Sequence, residues 1–138
     1  MIVVLDTNVL VAGLLKPFGP SAAVLRLVLT GMIQPAHDYR ILVEYREVLS
    51  RPVFGFAPAA IDAFLIQIEE DGVPVTPPPV SFPWPDPTDA PFLETALAAG
   101  AGFLITGNKR HFPKKKEGPH VVSPAEFMTE YEAVVPSK

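Results

Sequence analysis

The chain has 138 residues, a length that fits one domain with a single sizeable core. Hydrophobic residues make up 49% and charged residues 19%, which excludes a disordered chain, and the absence of cysteine excludes disulfides, thiolate nucleophiles and thiolate-ligated zinc. The formal net charge of −4 argues against a phosphate-backbone partner, yet five of the eleven basic side chains (Lys109, Arg110, Lys114, Lys115 and Lys116) fall in the segment NKRHFPKKK, a loop that is either solvated or phosphate-facing.

In chain order, the aliphatic run IVVL at 2–5 predicts a strand buried on both faces, ending at Asp6. The run is broken at Asp6, lacks a basic leader and meets charge again at Lys16, so neither a signal peptide nor a spanning helix is expected, and the chain reads as cytoplasmic. A helix follows over about 20–30, with Ala22, Leu25, Val28 and Leu29 at helical spacing, Ser21 as a cap and Gly31 as a stop. MIQPAH suggests a second strand. DYRILVEYREVLSRP then predicts a helix from Asp38 to before Pro52, and APAAIDAFLIQIEEDG another, with Ile61, Phe64, Leu65 and Ile68 as its buried stripe and Gly72 as its terminator.

The proline-rich stretch at about 74–87 excludes a helix and, beyond its first residues, an interior strand; it is expected as a stiff surface loop plugged onto the body by Trp84. A helix over about 89–100, a strand at Phe103 to Thr106, the basic loop, a short strand at HVV and a helix from Pro124 to about Tyr131 complete the chain, with a short tail. Strands alternating with helices predict an α/β fold of one domain, a parallel sheet covered on both faces, with its ligand site at the carboxyl ends of the strands. Asp6, Thr106 and Asn108 stand at such ends.

Three acids interrupt the apolar pattern. Asp6 either caps the segment after the first strand or belongs to a site. Glu44, three residues after Ile41 and four before Val48, borders the apolar face of its helix; it either snorkels or pairs with Arg40, or faces a site, while Glu47 points to solvent. Asp89 lies in line with Phe92, Leu93 and Ala96 at a helix start that Pro91 fixes, where it also suits a cap; Asp86, before Pro87, suits one still better. Oxygen ligands from separate elements converging at one sheet edge are what a hard divalent cation requires. Magnesium or manganese so held activates water for attack on a phosphodiester, and two ions about 3.5–4 Å apart clamp both reacting oxygens.

The ordered set VVLDTNVLVAG, ILVEYREVLSRP, DPTDAPFLETALAAGAGFLITGNKRHFP and VVSPAEF resembles a PIN domain of the VapC-like toxin group, from Ile2 to about Tyr131. The resemblance implies a three-layer α/β/α sandwich around a central parallel sheet of about four to five strands. It also implies a Mg2+- or Mn2+-dependent endoribonuclease, with one or two ions, an RNA substrate, a cognate antitoxin protein and a homodimer. On the matching positions Asp6, Glu44 and Asp89 are the catalytic and metal-binding acids, Asp86 a neighbouring one, and Asn8 and Thr106 polar supports. Many relatives carry an aspartate where this chain has Asn108, which keeps a carbonyl ligand but adds no charge. His111, close by, either assists or is solvated. Asp6, Glu44 and Asp89 are expected to lie within about one coordination sphere, reaching an ion at about 2.0–2.6 Å, and their mutual repulsion to raise at least one pKa.

Two other classes compete. Asn108 motivates a catalytically weak PIN domain that binds RNA or an antitoxin without cutting. A phosphoacceptor receiver or an aspartate-nucleophile phosphatase also places an aspartate after the first strand, but the chain has no second strand-terminal aspartate near its middle, and Asn8 stands where the phosphatase pattern needs an acid. No phosphate-cradling glycine loop is present.

Overall fold

Four aliphatic residues, Ile2–Leu5, form β1, and Val3, Val4 and Leu5 are wholly buried, as a strand covered on both faces requires. The computed structural model describes residues 1–79, 84, 86–113 and 117–134. After β1 come α1 (Thr7–Leu15), α2 (Pro20–Leu29), β2 (Gln34–His37), α3 (Tyr39–Leu49), α4 (Pro58–Asp71), β3 (Val73–Pro74), α5 (Ala90–Ala99), β4 (Phe103–Ile105), β5 (His120–Val122) and α6 (Pro124–Val134). All strand pairings are parallel, in the order β3-β2-β1-β4-β5.

That order positions the site. From β1 the chain winds outward to β2 and β3, then returns across β1 to β4 and β5, so the winding reverses between β1 and β4. Crevices at such reversals, outside the carboxyl ends of the strands, are where open α/β sheets take ligands. Leu5 stands opposite Ile105, which brings the next residues, Asp6 and Thr106, side by side at that crevice. Helices cover both faces: α2 packs against α4 and α6, whereas α5 lies against β1, β2 and β4 and meets α3. One core cluster runs through the sheet, with Tyr45, Phe92 and Phe127 as its largest fully buried side chains. The three-layer parallel α/β architecture expected from the sequence is the architecture found.

Several local expectations need correction. The segment after Asp6 is a helix, α1, that the spacing did not reveal. Gly19, not Ser21, is the cap residue of α2; Pro20 occupies its first turn, where a missing amide hydrogen costs nothing. The last helix runs three residues beyond Tyr131, to Val134. Asp38 does cap α3, its Oδ1 accepting from the amide of Ile41 at 2.9 Å. Gly72 does end α4, and it must be glycine because a Cβ there would lie 2.3 Å from the carbonyl oxygen of Pro35 and 2.5 Å from that of Ile68.

Only the first residues of the proline-rich stretch join the sheet, as the two-residue edge strand β3, where proline is tolerated. The rest of that loop lies partly outside the described residues, as does the tail at 135–138. Trp84 does pack onto the body, edge-on to Phe112 with ring centroids 6.3 Å apart. Among the described residues no single helix is long and apolar enough to cross a membrane; α1 and α2 together have the length and composition only across a 101° bend.

Candidate active site

Asp6 occupies the N-cap position of α1, yet its side chain accepts no capping hydrogen bond from that helix. It turns into the crevice, where its Oδ2 accepts from Thr106 Oγ1 at 2.7 Å and from Asn8 Nδ2 at 3.2 Å. Asn8 and Thr106 are themselves tethered. Asn8 Oδ1 accepts from the amide of Gly107 at 3.0 Å, and Thr106 Oγ1 from the amide of Asn108 at 2.9 Å. The loop after β4 is thus tied to the start of α1 through two side chains that both hold the same carboxylate oxygen. Burial of Asp6, only 6% exposed, raises its pKa, and the hydrogen bonds from Thr106, the Thr7 backbone and Asn8 oppose that rise.

Glu44 is half-buried on α3 and Glu47 exposed, as their spacing predicts. Its partner is Thr7, whose hydroxyl donates to Oε2, and not Arg40, which instead binds Asp38 and Glu94. Thr7 was missed by sequence reasoning; the signal was a hydroxyl directly after Asp6. The neighbouring Tyr45 donates its buried hydroxyl to the carbonyl of Leu5, fixing α3 against the end of β1. Asp89, at the start of α5, is 13% exposed, and its Oδ2 is buried with no hydrogen-bond partner. His111 Nδ1 lies 3.2 Å from that oxygen, close enough for charge attraction but not aligned as a hydrogen-bond donor.

Burial and then the charges of Asp6, Asp89 and Asp86 raise the pKa of Glu44, against the pull of the Thr7 hydroxyl. Burial and then Asp6 and Asp86 raise that of Asp89, against His111. The acids therefore share one electrostatic neighbourhood, as their like charges require. They do not share one coordination sphere: among the described residues no three His, Cys, Asp or Glu side chains are close enough together to hold an ion. Asp6 is held by Thr106 and Asn8 and Glu44 by Thr7, while Asp89 Oδ2 faces His111 Nδ1.

Asp86 is exposed and acts as a turn cap, accepting at Oδ1 from the amide (3.0 Å) and hydroxyl (2.8 Å) of Thr88, bonds that lower its pKa; only its charge reaches the cluster. Asn108 is exposed, two residues after Thr106. Of the basic residues, Lys109 is paired with Glu126 at 2.8 Å, which holds that carboxyl down at about 2; Arg110 is exposed, and Lys114, Lys115 and Lys116 lie outside the described residues. A cavity of about 610 Å³ opens beside Asn108, bordered by Lys109, Arg110, Phe112, His120 and Ser123.

The donor set suits a hard divalent cation. It consists of carboxylate oxygens from three elements, their pKa values lifted as they are where buried charge lacks a counter-ion, and one of them, Asp89 Oδ2, is a buried acceptor without a donor. No curated protein matches the chain. A family model described as a PIN domain matches residues 2–110, which include Asp6, Glu44, Asp86 and Asp89. PIN domains are in general nucleases and typically use divalent metal ions. The parallel sheet, the acidic crevice where its winding reverses and that match over most of its length agree: the chain belongs to the PIN-domain family.

Proposed function

We propose that this chain is an endoribonuclease that hydrolyses RNA phosphodiester bonds with one or two Mg2+ or Mn2+ ions, and that it is the cytoplasmic toxin of a toxin–antitoxin pair. The observation that carries the hydrolytic reading is the concentration of raised-pKa carboxylates, Asp6, Glu44 and Asp89, at the reversal of the sheet, where their charges destabilise one another. Such an arrangement costs stability and is expected where a cation is to be bound.

Asp6, Glu44 and Asp89 would hold the ion, with the Asn108 carbonyl as a further ligand. Once bound it supplies an activated water and stabilises negative charge on the phosphodiester. The chain's own residues supply orientation. Thr106 and Asn8 keep Asp6 aimed, Thr7 does the same for Glu44, and His111 offsets the charge of Asp89. Arg110, exposed at the rim, would meet substrate phosphates and set register on the strand. The cognate antitoxin and a second copy of the chain are proposed as partners on the strength of the resemblance to the VapC-like group.

A second reading, a PIN domain that binds RNA or an antitoxin without cutting it, draws on two observations: the acids do not meet in one sphere, and Asn108 stands where another carboxylate would add charge. The two are separated by incubating a mixed RNA pool with purified protein under Mg2+, Mn2+ or chelator. Internal cleavage that needs the metal supports the nuclease, whereas retention of RNA on a folded protein without cleavage supports the binding module.

A further inference from the structure

Arg40, in the first turn of α3, is the hub of a charge network that the hydrolytic reading leaves unused. Its Nε donates to Asp38 Oδ2 at 2.7 Å and its Nη1 to Glu94 Oε1 at 2.7 Å. The Arg40 side chain is 45% exposed, but those of the two acids are only 7% and 4% exposed. Asp38 is doubly engaged, since its other oxygen caps α3 at the amide of Ile41. Glu94 belongs to α5, 54 residues away in sequence. The network therefore joins the end of β2, the start of α3 and the middle of α5.

Those two helices carry two of the three site acids. Glu44 lies one turn after Arg40 on α3, and Asp89 precedes α5 five residues before Glu94. Their charges repel, so the spacing between α3 and α5 must be held by something other than the acids. Tyr45 and Phe92 meet across the same pair of helices, with ring centroids 6.4 Å apart, an apolar contact that lacks the directionality of a hydrogen bond. A planar guanidinium bonded at two of its nitrogens has that directionality. If the role were adhesion alone, apolar side chains would serve with less desolvation.

We infer that Arg40, clamped between Asp38 and Glu94, is a positioning residue that sets the separation of Glu44 and Asp89 for binding a divalent cation. This rests on the metal-dependent reading above. It assigns Arg40 no contact with RNA: its Nε and Nη1 are bonded to carboxylates, and two acids around one guanidinium leave the network with a formal charge of −1, which repels phosphate.

The test compares wild type with Arg40→Lys and Glu94→Gln, each checked for folding by circular dichroism, measuring Mn2+ affinity by electron paramagnetic resonance and RNA cleavage separately. The expected result is Mn2+ binding weakened about 10- to 100-fold, the range for residues that orient metal ligands. kcat should fall with it, while KM for RNA stays unchanged. A raised KM with unchanged Mn2+ affinity would mean a phosphate contact and overturn the inference. A lowered melting temperature with Mn2+ affinity, kcat and KM all unchanged would mean plain adhesion and also overturn it. If either variant fails to fold, Glu94→Asp, which keeps the charge and withdraws it by one methylene, makes the same comparison. Wild type that binds no Mn2+ at all would overturn the metal-site reading itself, and this inference with it.

Discussion

Replacing Thr106 by valine tests whether the polar supports hold Asp6 as described. Valine keeps the β-branched shape, so no cavity opens at a position that is 0% exposed, but the hydroxyl is lost. Two bonds go with it: the 2.7 Å donation to Asp6 Oδ2 and the 2.9 Å acceptance from the Asn108 amide. The second is inexpensive, because Asn108 is exposed and water can replace the acceptor. The first leaves a 6%-exposed carboxylate with Asn8, at 3.2 Å, as its remaining side-chain donor. Hydrogen bonds to charged groups are worth about 1.5–3 kcal/mol, so a loss of about 2 kcal/mol is expected, or roughly 6–8 °C in Tm for a domain of this size.

The loss should depend on pH in a known direction. The Thr106 bond lowers the Asp6 pKa against the effect of burial, so its removal lets that pKa climb further. The folded variant then holds its proton to higher pH than wild type does, and the stability gap closes as pH falls through the folded pKa of Asp6. Urea unfolding of wild type, Thr106→Val and Thr106→Ser at several pH values, without metal, measures this. A loss below about 0.5 kcal/mol, or one equally large when Asp6 is protonated, would refute the reasoning.

Three further outcomes are expected. In metal-free protein the raised pKa of Asp89 means the folded state binds more protons than the unfolded one, so stability falls as pH rises through that folded pKa; Asp89→Asn should therefore melt higher than wild type at pH near 8, and added Mg2+ should narrow the difference. His37 is 3% exposed with Nε2 unpartnered, and burial lowers its pKa against Glu69 and Asp38, so the folded state binds fewer protons and stability should fall as pH drops below about 6.5; His37→Gln should flatten that limb in thermal melts. Gly72→Ala should cost about 2–3 kcal/mol in urea unfolding, because its Cβ would press on two backbone carbonyls that cannot rotate away.

Much of this site was legible because strand ends and helix stripes are local patterns. Asp6 and Thr106 follow aliphatic strands, Glu44 borders a stripe at 3.6-residue spacing, and Asp89 is fixed to a helix start by Pro91. What was not legible is non-local or lacks a period. The helix α1 reads TNVLVAGLL, apolar on nearly every side, so it has no polar face to betray its turn, and Asp6 at its cap position spends its carboxylate elsewhere. Thr7 meets Glu44 across 37 residues, and Arg40 meets Glu94 across 54, which no spacing rule foresees. Glu94 sits inside the run FLETA and is 4% exposed, where Arg40 pairs with it. The expectation that three acids would fall within one coordination sphere rested on the ligand requirement of an ion, whereas strand ends and helix stripes fix only which elements carry the acids and not the distances between their side chains.

The most direct test of the central claim is to measure RNA cleavage and thermal stability on the same preparations of wild type, Asp6→Asn, Asp89→Asn and, as a control, the exposed Glu47→Gln, with Mn2+ and with chelator. The account predicts metal-dependent cleavage by wild type and Glu47→Gln, lost in both aspartate variants while they remain folded, with Asp89→Asn melting above wild type in chelator. Cleavage that survives in the folded aspartate variants, or that proceeds equally in chelator, would contradict it.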